Sequence, residues 1–127
     1  QSDSTYTQTG GTVTLTIPST MLSAKGIDFR VKGILNDGTI NATVAANGSK
    51  GIKSDGSFTQ AGGTITMTCS GGKDKVTDPL DVGKCYGIKL DGIWKKTGGV
   101  CDIKTTSTVT AAIKDSTTTY DGTGVPE

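Results

Sequence analysis

Lysine and aspartate side chains recur together at two points of the chain, and they are the residues best placed to bind a charged ligand. Lys53 and Asp55 follow one Gly-Ile dipeptide, and Lys89 and Asp91 follow another. Equivalent residues of neighbouring parallel strands lie about 4.8 Å apart, so we expect the two pairs to be adjacent. Carboxylate oxygens at that spacing suit Ca²⁺, and Asp55 and Asp91 are therefore interpreted as a candidate calcium site.

The two lysines admit two interpretations. Lys53 and Lys89 either neutralise the aspartates, in which case no metal is needed, or bind a ligand that carries carboxylates. Trp94, the single tryptophan, either stacks on a sugar ring or packs against Phe58. Further oxygen ligands for a calcium site are available at Asn36, Asp37, Asp74, Asp78 and Asp81.

The composition argues against an enzyme. The sequence contains no histidine, which removes the Ser/His/Asp and Cys/His catalytic sets. Two close carboxylates suit glycoside hydrolysis, but a repeated column of aspartates is more typical of turns or cation binding. We therefore predict a protein without catalytic activity.

Four glycine-marked turns each open a strand, and the apolar positions of these strands coincide when the turns are aligned. The turns begin at Gly10, Asp37, Gly62 and Gly98. Alternate residues of a strand face opposite sides, so the aligned apolar residues form three inward columns: Val13, Ile40, Ile65 and Cys101; Leu15, Ala42, Met67 and Ile103; Ile17, Val44, Cys69 and Thr105. A further column is Ile27, Ile52 and Ile88.

These columns predict an all-β fold, a short parallel β-helix of about four coils with three faces per coil. Right-handed winding is expected, because parallel crossovers are right-handed. We expect one domain over residues 1–127, with 1–9 and 105–127 each acting as a cap or as a strand exchanged with another copy. Stacked coils leave open edges that need such covering.

Charge and composition limit the partners. The chain has 127 residues and a net charge of +1, so no broad field directs it to nucleic acid. It has no apolar stretch long enough to insert into a membrane. The first residue is Gln1, which, together with the Thr/Gly-rich composition, is expected of a processed, secreted or cell-surface protein.

Three cysteines, Cys69, Cys85 and Cys101, lack metal-site spacing. We predict a Cys69–Cys85 disulfide across the long insertion, with Cys101 as a buried thiol; a Cys85–Cys101 pair is the alternative.

Nine outward positions of the first three aligned strands form a regular array of eight threonines and one asparagine. Such an array is either an ordinary exposed strand surface or a face for an ordered partner, ice being a minor candidate. The members are Thr12, Thr14, Thr16, Thr39, Asn41, Thr43, Thr64, Thr66 and Thr68.

The repeat that runs from Gly51 to Gly56 and continues through Gly62-Gly63-Thr64-Ile65 resembles a family of secreted bacterial carbohydrate-binding domains. The resemblance implies a right-handed parallel β-helix at the cell surface that binds calcium and acidic plant polysaccharides. It places Asp55 and Asp91 on the aspartates of the family motif, and Lys53 and Lys89 on its lysines. The first unit departs from the motif, with Asp28 and Arg30 in place of the lysine and the aspartate.

Two functions remain open at this stage. The first is a non-catalytic, extracellular polysaccharide-binding module, with Ca²⁺ as a candidate cofactor and Lys53, Lys89 and Trp94 as candidate ligand-binding residues. The second is a structural subunit that assembles with copies of itself by end-to-end stacking or strand exchange. The first is favoured narrowly.

Overall fold

A computed structural model of the chain describes residues 5–21, 23–72, 85–105, 110–116 and 119–120. Within these residues the chain forms only strands and no helix, and hence no helix that could cross a membrane. The strands are β1 (Thr5–Gln8), β2 (Thr12–Ile17), β3 (Lys25–Phe29), β4 (Lys32–Leu35), β5 (Thr39–Val44), β6 (Lys50–Ser54), β7 (Ser57–Gln60), β8 (Thr64–Cys69), β9 (Cys85–Leu90), β10 (Trp94–Lys96), β11 (Val100–Thr105), β12 (Thr110–Lys114) and β13 (Thr119–Tyr120).

Every third strand joins the same sheet, which makes the fold a short parallel β-helix with three faces. The first sheet has the order β1-β4-β7-β10, the second β2-β5-β8-β11, and the third β3-β6-β9-β12. All neighbours in these orders run parallel, and β13 adds to β12 in the antiparallel direction. One coil is thus three successive strands, and the described residues complete four coils.

The register of the second sheet confirms the predicted columns. Ile40 pairs with both Val13 and Ile65, and Ile65 pairs with Cys101. Because the register holds along whole strands, each inward residue lies over its counterpart in the next coil. The Ile27, Ile52 and Ile88 column is confirmed in the third sheet. Ile40, Ile52, Ile65 and Ile88 are fully buried.

An aromatic ladder runs the length of the interior. Its ring centroids are spaced 6.1 Å from Tyr6 to Phe29, 6.0 Å from Phe29 to Phe58 and 5.8 Å from Phe58 to Trp94. The second coil contributes no ring of its own, because Gly33 pairs with Tyr6 and Phe58. Phe29 takes that space from the third sheet: a Cβ on Gly33 would lie 2.5 Å from its Cζ atom.

The corner before the second sheet requires glycine. Gly11, Gly38, Gly63 and Gly99 all have φ between 71° and 100°, a region that side chains rarely adopt. At Gly63 a Cβ would also lie 2.5 Å from the Gly38 carbonyl oxygen. The repeated glycine turns therefore have a conformational and a packing reason.

The two ends of the helix differ. At the N-terminal end, Val13 and Leu15 are only partly buried against the core. At the C-terminal end, Lys96 pairs with the buried Gln60, and Asp115, 9% exposed, accepts a hydrogen bond of 2.8 Å from the Trp94 backbone N–H. The last coil thus places charged residues in columns that earlier coils fill with uncharged ones: Gln8, Leu35 and Gln60 in one column, and Phe29, Ser54 and Leu90 in the other.

The predicted caps are partly built into the coils. Thr5–Gln8 forms β1, which pairs with β4 of the same chain, and Thr110–Lys114 forms β12, which continues the third sheet. Residues 1–4 and 121–127 lie outside the described residues, as do Asp74, Asp78 and Asp81.

Candidate functional site

The four charged residues singled out in the sequence come together at the end of the third sheet. The register aligns Lys53 with Lys89 and places Asp28 beside Lys53. The Lys53 Nζ lies 3.1 Å from Asp55 Oδ1 and 4.0 Å from Asp91 Oδ2, and the Lys89 Nζ lies 3.2 Å from Asp91 Oδ1. The four side chains therefore form one zigzag of alternating charge.

Arg30 extends this network by one coil. Its Nε lies 3.9 Å from Asp55 Oδ2, so Asp55 lies between two cationic side chains. The departure of the first unit from the repeat motif, with arginine in the aspartate position, thus adds a cation to the end of the column.

The network is a poor calcium site. The Lys53 ammonium group already lies between the two carboxylates, and a divalent cation brought there would be repelled by it. Within the part of the chain that the structure describes, no group of three or more His, Cys, Asp or Glu side chains is arranged to hold a metal. Ca²⁺ prefers six to eight oxygen ligands, and Asp55 and Asp91 by themselves supply too few.

The lysines are less available to a ligand than their positions suggest. The Lys53 and Lys89 side chains are 18% and 21% exposed, against 55% and 56% for their aspartate partners. A carboxylate ligand would therefore compete with Asp55 or Asp91 for either ammonium group.

Trp94 lies in the aromatic ladder. Its ring stacks on Phe58 with an interplanar angle of 3°, which is the packing alternative considered from the sequence. One side of the indole ring is thus already covered by a side chain of the same molecule.

The three cysteines are free thiols, and all are buried. The predicted Cys69–Cys85 disulfide is therefore absent from the structure, and so is the Cys85–Cys101 alternative. The thiols act as small apolar groups of the core: Cys69 pairs with Val44 in an inward column, and the Cys85 Sγ donates a weak 3.9 Å hydrogen bond to the Val44 carbonyl. Burial raises the pKa of Cys69 to about 12 and that of Cys85 to about 11, so neither is a nucleophile near neutral pH.

Two buried glutamines were not recognised from the sequence. The Gln8 Nε2 donates to the carbonyl oxygens of Gly10, Gly11 and Thr39, and its Oε1 accepts a 2.8 Å hydrogen bond from the Tyr6 hydroxyl. Both amides fix the corner that leads into the second sheet. The signal in the sequence was their shared position, two residues before a glycine pair.

The second glutamine is incompletely bonded. The Gln60 Nε2 donates to the carbonyl oxygens of Gly63 and Val100. Its Oε1 is buried and has no hydrogen-bond partner among the described residues.

The outer surface of the second sheet is the most regular feature of the molecule. We call its first three strands the threonine face; its outward side chains are those of Thr12, Thr14, Thr16, Thr39, Asn41, Thr43, Thr64, Thr66 and Thr68. Each is exposed or half-exposed. No hydrogen bond within the described part of the chain engages a side-chain hydroxyl of the face. The face is uncharged, whereas β11 beside it carries an ion pair of 3.9 Å between Asp102 and Lys104.

The buried columns hold this face in place. Ile40, Ala42 and Val44 alternate with its outward residues along β5 and are buried, so the strand is anchored at every second position. Residues of one column therefore repeat at the strand spacing of about 4.8 Å, with a packed interior behind them.

Searches with protein-family models, among curated proteins and among solved structures found no match. The resemblance of the Gly51–Gly63 repeat to carbohydrate-binding domains therefore stays a prediction.

Proposed function

We propose that this chain is a non-catalytic, secreted module that binds an extended polysaccharide on the threonine face. The observation that carries the proposal is the arrangement of nine uncharged side chains, each exposed or half-exposed, in three columns on a sheet that packs on the buried core. Hydroxyl groups donate and accept hydrogen bonds, and the threonine methyl groups offer apolar contact to the faces of sugar rings.

The spacing of the columns suits a polymer that lies along the helix axis. Each coil presents an equivalent hydroxyl about 4.8 Å after the previous one, which is of the same order as the advance per sugar in an extended chain. A repeating ligand then makes the same contact on each coil. Because the buried columns already hold the strands in place, binding costs little conformational entropy of the protein, and this favours affinity.

The charge network favours a neutral glycan over a calcium-bridged acidic one. Lys53 and Lys89 are each paired with an aspartate within 3.2 Å, so at these two lysines a uronate or a calcium ion would have to compete with an existing ion pair. Calcium-assisted binding of an acidic polysaccharide is therefore the second form of the proposal.

Open-ended self-assembly has less support than a binding module. Stacking one molecule on the next requires apolar, uncovered coils at both ends. The last coil instead carries Lys96 and Asp115 at interior positions, and β13 covers the edge of β12.

Retention on insoluble cellulose and on pectate, with and without a chelator, tests the proposal. Thr66→Lys places a long charged side chain in the middle of the threonine face, and we expect it to abolish retention. Thr59→Lys is the matched control, because Thr59 lies on the middle strand β7 of a different face and its replacement should leave retention unchanged.

Three outcomes discriminate among the possibilities. No retention of the unaltered protein on any glycan would refute the proposal. Equal losses of retention for Thr66→Lys and Thr59→Lys would show that the threonine face is not the binding surface. Retention on pectate that the chelator abolishes would favour the calcium-assisted form.

A further inference from the structure

The open edges of the helix are unequally protected. Among the described strands, β1, β2 and β3 form the edges at the N-terminal end, and β10, β11 and β13 those at the C-terminal end. Exposed edges invite pairing with another chain, and charged side chains suppress it. β10 carries Lys95 and Lys96, and β11 carries Asp102 and Lys104. Two of the three C-terminal edges, β10 and β11, are therefore protected by charge, and the third, β13, has only two residues.

β2 has none of these protections. Its sequence, Thr-Val-Thr-Leu-Thr-Ile over Thr12–Ile17, contains no charge, no glycine and no proline. It is also the longest edge strand at its end, because β1 has four residues and β3 has five, two of them the charged Lys25 and Asp28. A six-residue segment of this composition is a strong β-pairing segment.

The described residues leave the interior beside β2 only partly covered. Val13 and Leu15 are only partly buried, whereas Ile40 and Ala42, their neighbours in β5, are 0% and 6% exposed. A strand paired to the outer edge of β2 would cover the backbone groups and these apolar side chains together.

The pattern of β2 is complementary to itself in the antiparallel direction. When two copies meet about a twofold axis at Thr14 or at Leu15, threonine lies opposite threonine on the outside and apolar residues lie opposite each other on the inside. No like charges meet. Head-to-tail pairing would instead bring β2 against β11, with its Asp102 and Lys104.

We propose that β2 is a dimerisation edge, at which the β2 strands of two copies pair antiparallel about a twofold axis. The partner is a second copy of this chain, and the symmetry closes the assembly at two molecules. The threonine face then continues from one copy into the other as a single sheet. This inference depends on the strand edges and not on the glycan proposal.

Sedimentation velocity over a wide concentration range tests the dimer. The unaltered protein should dimerise as concentration rises. Thr14→Lys places like charges opposite each other when the axis lies at Thr14 and diagonally across it when the axis lies at Leu15. In both registers it should lose the dimer, as should Thr14→Glu. Thr66→Lys is the matched control: it lies in the same column but on β8, away from the edge, and it should still dimerise.

Mixing the two Thr14 variants makes the test independent of folding defects. Lysine opposite glutamate restores attraction, so the mixture should dimerise although neither variant does alone. Three results would overturn the proposal: an unaltered protein that stays monomeric, one that forms filaments or larger assemblies, or a mixture that stays monomeric. A Thr14→Lys variant that still dimerises would also exclude β2 as the edge.

Discussion

Replacing Phe58 with tyrosine is expected to stabilise the fold, because it supplies a donor to a buried acceptor that lacks one. Gln60 Oε1 is that acceptor. The first coil shows the completed arrangement: Tyr6 lies two residues before Gln8 and donates to its Oε1 at 2.8 Å. Phe58 lies two residues before Gln60, and both Tyr6 and Phe58 pair with Gly33 in the same column. The tyrosine hydroxyl should therefore reach Gln60 Oε1.

The size of the effect follows from one hydrogen bond. A buried hydrogen bond contributes about 1 kcal/mol net, and the ring of residue 58 keeps its stacking partners. For a domain of this size, such a gain raises Tm by about 3–5 °C. Urea unfolding, monitored by far-UV circular dichroism, measures the change in the free energy of unfolding. Trp94 fluorescence is a second probe, and its folded and unfolded signals are measured separately for each variant because Trp94 stacks on residue 58.

A double-mutant cycle isolates the proposed bond. Gln60→Leu removes the acceptor, and leucine fits the column because Leu35 pairs with both Gln8 and Gln60. In that background Phe58→Tyr should lose its benefit and cost stability, since its hydroxyl is then buried without a partner. An equal gain in both backgrounds, or destabilisation of the unaltered protein by Phe58→Tyr, would refute the reasoning.

Three further outcomes are expected. Gly63→Ala should lower the free energy of unfolding by about 2 kcal/mol or more, because φ is 71° and the added Cβ would meet backbone atoms. Gly10→Ala should change it little, because the space around that Cβ is open. Equal effects of the two substitutions would contradict this. Burial raises the pKa of Cys69 from 9.0 to about 12, so its thiol ionises first in the unfolded chain. The free energy of unfolding should therefore fall as pH rises from about 9 towards 12, by up to about 1.4 kcal/mol per pH unit. Cys69→Ala should lose that part of the pH dependence, and an unchanged pH dependence would exclude the thiol as its cause. Asp91→Asn should lower the free energy of unfolding by less than about 1 kcal/mol, and by less still at high salt, because the Lys89–Asp91 pair is partly exposed. Added Ca²⁺ should leave the Tm of the unaltered protein unchanged. A calcium-dependent rise in Tm that Asp91→Asn removes would instead support a calcium site at Asp91.

The predictable part of the fold is the part in which every coil repeats the same residue type. Each glycine turn fixes the start of a strand in the second sheet, and alternation then assigns inward and outward positions from that point. Because parallel strands stack in register, the columns through Ile40 and Ile65 could be derived without tertiary information.

The aromatic ladder could not be derived in this way. Its second ring comes from Phe29, at the end of β3, while the aligned position in the next coil is Gly33. A column argument assumes that each coil fills its own interior. Here Phe29 of the third sheet fills the space beside Gly33 of the first sheet, and this substitution is visible only in the packing of the folded chain.

The polar last coil could not be predicted from alternation either. Lys96 and Asp115 follow the spacing of inward residues, yet charged residues at such positions are ordinarily assigned to the surface. Their position at the end of the stack explains this: among the described residues no apolar layer lies beyond the last coil, so polar groups there can be hydrogen-bonded, as Asp115 is by the Trp94 N–H.

For the candidate site, the sequence predicted which charges meet and left two interpretations of the lysines open, of which the structure has the pairing with the aspartates. In the second and third coils lysine precedes aspartate by two residues, so Lys53 and Lys89 each have a carboxylate beside them. Lys53 also lies 4.0 Å from the carboxylate of the next coil, Asp91. Neutralisation is therefore a property of these two repeats, whereas the first coil has Asp28 and Arg30 at the two positions and the last coil has Lys114 and Ser116. A column of aspartates in this motif thus requires no metal, and the uncharged threonine face is left as the surface with hydrogen-bonding groups available to a ligand.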